Sequence, residues 1–192
     1  IVGTGLGAML GLFSGYYMGK FDAIVQRLVD MWMSFPDLIL ALTVVAVFGN
    51  TLTNVILAIA ATIMPRGVRV IRASTIGLRE TDYVTAAHAI GASSTRIILR
   101  HILPNTVAPF LIIMSSMFGT AILTEAGLSY LGLGISEPFP SWGRMVTVAA
   151  QYAVTAPWIV IFPGLAIMFT VMGFAFAGDA LRDIFDPRLR GE

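Results

Sequence analysis

The sequence predicts an all-α, polytopic membrane protein. Of its 192 residues 57% are hydrophobic and 12% are charged, with a mean hydropathy of +0.84; soluble domains carry about 25% charged residues. The apolar residues fall in runs long enough to cross a hydrocarbon layer about 30 Å thick, which takes roughly 20 residues of helix. The basic residues are segregated: eleven of the twelve lie around alternate connections between these runs or in the C-terminal tail. So little polar surface cannot cover a water-soluble exterior, so the solvent of most of the chain is lipid.

Five runs qualify as spans, over 1–19, 24–48, 52–72, 106–133 and 157–180. Barrel strands would be about ten residues long with strict alternation, and none of these shows it. Helix breakers mark most of the gaps, at Gly49-Asn50, Pro104, Gly132 to Pro140 and Pro157. The chain opens at Ile1, already inside an apolar run and without an initiator methionine. The expectation is a single transmembrane domain over 1–192 that has lost an N-terminal piece.

The first span carries Gly7, Gly11, Gly15 and Gly19 at four-residue spacing, a small-residue groove that lets another backbone come close. Both a helix of the same chain and one of a partner subunit fit that groove. Gly3, Gly5 and Gly7 imitate a dinucleotide motif, but no strand–turn–helix surrounds them.

Charge gives an orientation. Lys20 and Arg27 lie in the first connection, Arg66, Arg69, Arg72, Arg79, Arg96 and Arg100 around the third, and Arg182, Arg188 and Arg190 in the tail, against Arg144 alone in the fourth. By the positive-inside rule the first and third connections and the C-terminus are expected in the cytoplasm. Arg66, Arg69 and Arg72 fall on one side of a helix, either snorkelling to headgroups or lining the inner mouth of a pathway. Asp37 and Glu125 sit at or near membrane depth, where acids are costly and mark pairing or a pathway. With Arg66 and Met114 they are the candidate pathway residues.

Segment 80–104, with "YVTAAHAIGASSTRIILRHILPN" from Tyr83, breaks the apolar pattern. Thr81 can cap a short helix on whose face Tyr83, Val84, Ala87, Ile90 and Gly91 coincide. Ser93 or Ser94 can start a second helix, which Pro104 is expected to end. Too short to span and rich in base, the pair fits either a cytoplasmic docking element or a helix lying on the headgroups. The fourth connection, 134–156, with Glu137, Trp142 and Arg144, faces outward by the same rule and fits an outer contact surface, a gate beneath one, or a purely interfacial re-entrant helix.

Several chemistries are excluded. There is no cysteine, hence no disulfide, thiol catalysis or thiolate metal site. A phosphate-binding P-loop needs Gly-Lys-Ser/Thr, and the only lysine is Lys20 in "YYMGKFD". The histidines, His88 and His101, have no metal-ligand or nucleophile–base spacing around them. Net charge of +1 gives no ground for a nucleic-acid partner.

The segment resembles the EAA loop of ABC-importer permeases, Glu-Ala-Ala, three residues, Gly, nine residues, Ile, one residue, Leu-Pro. Ala86, Ala87, Gly91, Leu103 and Pro104 match; Thr85 replaces the glutamate and His101 the isoleucine. "RHILPN", "GLSYLGLG" (127–134), "PSWGRM" (140–145), "APWIVIFPGLAI" (156–167) and "GDALRDIFDPRLR" (178–190) are similar to the dipeptide/oligopeptide/nickel branch.

The resemblance implies a MetI-like permease bundle in a bacterial or archaeal cytoplasmic membrane, not itself an enzyme. It implies a second, related permease, two cytoplasmic ATPases that hold the ATP and Mg, and a substrate-binding protein outside. Tyr83, Thr85, Ala86, Ala87, Ile90, Gly91, Leu103 and Pro104 would then contact the ATPase. Peptides are the expected cargo, with nickel or its chelates, glutathione and some oligosaccharides as alternatives. A secondary transporter, which would show repeated halves with broken helices, and a membrane enzyme are the rivals from other classes.

Overall fold

The computed structural model describes residues 1–185; Arg188 and Arg190, and with them the orientation read for the tail, lie outside the described residues. Among the described residues all regular structure is helical. In chain order come α1 (Val2–Tyr17), α2 (Gly19–Met33), α3 (Asp37–Phe48), α4 (Leu52–Arg79), α5 (Asp82–Ala89) and α6 (Ser94–Ile97). A π-helical turn (Ile98–Ile102), α7 (Leu103–Tyr130), α8 (Trp142–Ala150) and α9 (Trp158–Phe185) follow.

Among the described residues three helices can cross a membrane by length and composition: α4, the unbroken run Ser94–Tyr130, and α9. A fourth crossing arises if α2 and α3 count as one. Five were expected, and the two differences have local causes. The expected span 24–48 is broken, because α2 ends at Met33 and α3 begins only at Asp37. Pro36 pushes the residue before it out of the helical region, while its own fixed φ of −58° starts α3 with Asp37 in the first turn, where an acid suits the helix dipole. The expected span 1–19 is the 16-residue α1, only about 24 Å long at 1.5 Å per residue. The chain turns at Met18 and Gly19, with φ of 53° and 62°.

Two compact units emerge. The first comprises Ile1–Ser34, Met64–Met114 and the end of α9 from Gly178. Here α1 lies directly on the backbone of α4. A Cβ at Gly15 would sit 2.8 Å from the Arg72 carbonyl oxygen, and one at Gly11 or Gly7 would sit 3.0 Å from the Arg72 or Val68 amide nitrogen. The glycine groove is therefore filled by this chain's own helix. Gly19 is not part of it; its surroundings are open and it serves the turn.

That close approach brings charges together. Arg72 donates from Nε and Nη2 to the two carboxylate oxygens of Asp22 at 2.6 and 2.5 Å, a fork that suits the guanidinium. Ser14 Oγ donates to Asp22 Oδ1 at 2.5 Å and accepts from Gln26 Nε2 at 3.2 Å. Arg69 Nη2 pairs with Asp30 Oδ1 at 2.6 Å. Neither Arg69 nor Arg72 is a lone snorkelling cation; each meets an acid of α2. Around this cluster Leu12, Tyr16, Ile71, Val84, Ala87, Ile97, Ile98 and Ile102 form the apolar core of the unit.

The second unit comprises Phe35–Ile63 and Ser115–Ala177. Its core joins Ala41 and Val45 of α3, Val55 and Ala58 of α4, and Leu128 of α7. Phe118 of α7 stacks on Phe174 of α9 with centroids 4.7 Å apart. Helix α8 packs on the end of α7 through Gly143, where a Cβ would lie 2.6 Å from the Ala126 Cα. Thr147 Oγ1 donates to the Ser129 and Gly143 carbonyls at 3.1 and 3.0 Å.

Candidate functional site

The segment between α4 and α7 is an ordered helical hairpin. Thr81 occupies the N-cap position of α5, but its hydroxyl turns back to donate to the Leu78 carbonyl at 2.6 Å, so the expected side-chain cap is not made. Ser93 does cap α6, its Oγ accepting from the Arg96 amide at 3.4 Å. Between them Gly91 has φ +82°, a left-handed conformation that a side chain would strain.

Pro104 does not end the second helix. It is the second residue of α7, and the helix runs on through it. The π-helical turn at Ile98–Ile102 widens the backbone just where the proline ring would otherwise meet the carbonyl four residues earlier. Asn105 Nδ2 donates to the His101 carbonyl at 2.7 Å and to Tyr83 Oη at 3.4 Å. With the Tyr83 and His101 rings 6.2 Å apart, this ties α5 to the start of α7. On the other side Tyr16 of α1 lies against the His88 ring, its Oη 3.5 Å from Nε2.

The face that α5 presents outward differs from the one its periodicity indicated. Val84 and Ala87 are buried at 0% and 6% exposure in the unit's own core, whereas Ile90 is 85% exposed and Tyr83 43%. Ala86, at three residues from Tyr83 and four from Ile90, is also exposed, as are Thr85 and Gly91. Ala87 is thus buried in the same core of this chain as Leu12, Tyr16 and Ile71, and the uncovered apolar face is Tyr83, Ala86 and Ile90. Leu103 and Pro104, both exposed, stand at the far side of the π turn.

At the opposite end of α7, Glu125 Oε1 accepts from Ser129 Oγ and from Ser141 Oγ, each at 2.7 Å. Its partners are hydroxyls rather than an arginine. Ser141 also caps α8 by accepting from the Arg144 amide at 3.2 Å, so one carboxylate fastens the α8 N-terminus to α7. Arg144 forms its ion pair with Glu137, and Trp142, the first residue of α8, is 42% exposed. Glu137 and Arg144 line a cavity of about 530 Å³ with Asn50, Ser129 and Thr147. Of the other candidates, Met114 is half-buried on α7, Asp37 opens α3 and Arg66 is half-buried on α4.

Asp22, Asp30 and Ser14 escaped the sequence reading. The available signal was the pair of acids on amphipathic α2 beside an arginine ladder on α4, which only the glycine groove brings into range.

A family model for the inner membrane component of binding-protein-dependent transport systems matches residues 7–191. The chain belongs to this family. Among similar members is a provisionally named peptide transport system permease protein of Brucella suis biovar 1, 46% identical over 97% of this chain and 63% of its own length. The dipeptide transport system permease protein of Alkalihalophilus pseudofirmus is 44% identical over 96% of this chain and 60% of its own. The glutathione transport system permease protein of Pectobacterium atrosepticum is 42% identical over 99% and 63%. This chain therefore spans about three-fifths of the length of the curated relatives it matches. Its helices and its family agree in making it a multi-pass transport component of the cytoplasmic membrane.

Proposed function

We propose that this chain is the permease part of an ATP-driven importer of short peptides, forming one half of the translocation pathway. The observation that carries it is the α5–α6 hairpin: an ordered element held by its own core on one side and carrying an exposed apolar face, Tyr83, Ala86 and Ile90, on the other. Such a face fits a groove on a water-soluble protein better than it fits solvent. In this reading Thr85, Gly91, Leu103 and Pro104 flank the contact with a cytoplasmic ATPase, which supplies the ATP and Mg chemistry. A second permease completes the bundle, and a binding protein delivers cargo on the opposite face, near Glu137, Trp142 and Arg144.

Peptide as cargo follows the names of the relatives, and glutathione, itself a tripeptide, falls in the same chemical class. The hairpin and the C-terminus lie in the cytoplasm on this reading, and Asp37, Arg66, Met114 and Glu125 belong to the pathway. Disulfide cross-linking tests the hairpin's role. In the full-length complex a cysteine at Ile90 should cross-link to the ATPase and one at Ala87 should not. Efficient cross-linking from Ala87, or none from Ile90, would remove the hairpin from the coupling route.

A further inference from the structure

Glu125 has an asymmetry that its structural bonds leave unused. Both serine hydroxyls donate to Oε1, and among the described residues no donor reaches Oε2. Beside it opens a cavity of about 580 Å³ lined chiefly by Ala121, Ile122, Ile135, Trp142 and Met145. Among the described residues Glu125 is the one charged residue in that lining, and it is half-buried rather than sealed off. A carboxylate facing lipid alone would be costly, so an acid fixed by two hydroxyls and half-open to an apolar cavity is placed for a cation. Trp142, 42% exposed at the rim, adds an aromatic face of the kind cations favour.

We propose that this cavity is a subsite for a primary ammonium group carried on an apolar residue, the amino-terminal end of a peptide in transit. Oε2 accepts from the ammonium, the serines hold the carboxylate still, and the side chain of the terminal residue fills the apolar wall. The peptide half of this statement rests on the proposed function; the ammonium half rests on the geometry.

The test is equilibrium binding of radiolabelled leucyl-leucinamide to the full-length permease complex in nanodiscs, without binding protein or ATP. N-acetyl-leucyl-leucinamide has the same apolar parts and no charge, and should bind roughly tenfold more weakly or worse, the usual weight of a charge-assisted hydrogen bond. Glu125→Gln keeps an acceptor for both serines and should erase that preference. Ala121→Phe, which fills the cavity without touching Glu125's hydrogen bonds, should abolish binding of both compounds and serves if Glu125→Gln does not fold. Equal binding of the two compounds by the wild type, an undiminished preference in Glu125→Gln, or undiminished binding in Ala121→Phe would overturn the subsite. Amine-selective binding in a complex that imports no peptide would instead overturn the transport reading and leave the ammonium site standing.

Discussion

Removing one partner of the Asp22–Arg72 pair should cost very different amounts depending on which is removed. Asp22 is 8% exposed and takes three hydrogen bonds, two from Arg72 and one from Ser14. Arg72→Met leaves that anion buried with the serine alone, a loss of about 3–5 kcal/mol. Asp22→Asn leaves a guanidinium whose side chain keeps 29% exposure and can turn to water or headgroups, a loss of about 1–3 kcal/mol. The joint replacement Asp22→Leu with Arg72→Met removes both charges and should be no worse than Asp22→Asn, because apolar pairs often replace buried ion pairs without loss. Heating the full-length permease complex in detergent and following the surviving monodisperse fraction by size exclusion gives the ranking. An Arg72→Met variant as stable as Asp22→Asn, or a double variant as unstable as Arg72→Met, would refute the reasoning.

Three more outcomes follow from the hairpin and its placement. Ala87→Asp buries a charge among Leu12, Tyr16 and Ile71 and should lower the amount of folded permease severalfold on immunoblots of membranes, whereas Ile90→Asp should leave that amount unchanged and release the ATPase on co-purification. Gly91→Val forces a β-branched residue to φ +82°, about 1–2 kcal/mol of local strain; peptide uptake should fall while membrane insertion, read by the same blots, persists. A cysteine at Thr95 should react with a membrane-impermeant maleimide only from the cytoplasmic side and one at Phe139 only from outside, and inverted labelling would reverse the orientation.

What could be read from the sequence was whatever depends on short spacing. Glycines four apart make a groove whatever lies in it, and Ser93 caps its helix from three residues away. Features decided by distant segments were not legible. Hydropathy averaged across Pro36 hid the break between α2 and α3, since the residues on both sides of it are largely apolar. Periodicity placed Tyr83 and Ala87 on one face, but the boundary between covered and uncovered depends on Leu12, Tyr16 and Ile71, contributed by α1 and α4. Pro104 looked like a terminator because nothing local announces the π turn before it. Glu125 could be matched to Ser129 one helical turn on, but not to Ser141, which lies 16 residues away across the α7–α8 connection.

The most direct test of the account is uptake of a radiolabelled dipeptide into proteoliposomes holding the full-length permease, its companion permease and the ATPases, with binding protein outside and ATP inside. Accumulation should require both ATP and binding protein, and should vanish when Ile90→Asp is introduced into an otherwise intact complex. Accumulation driven by a proton gradient without ATP, or undiminished in Ile90→Asp, would contradict it.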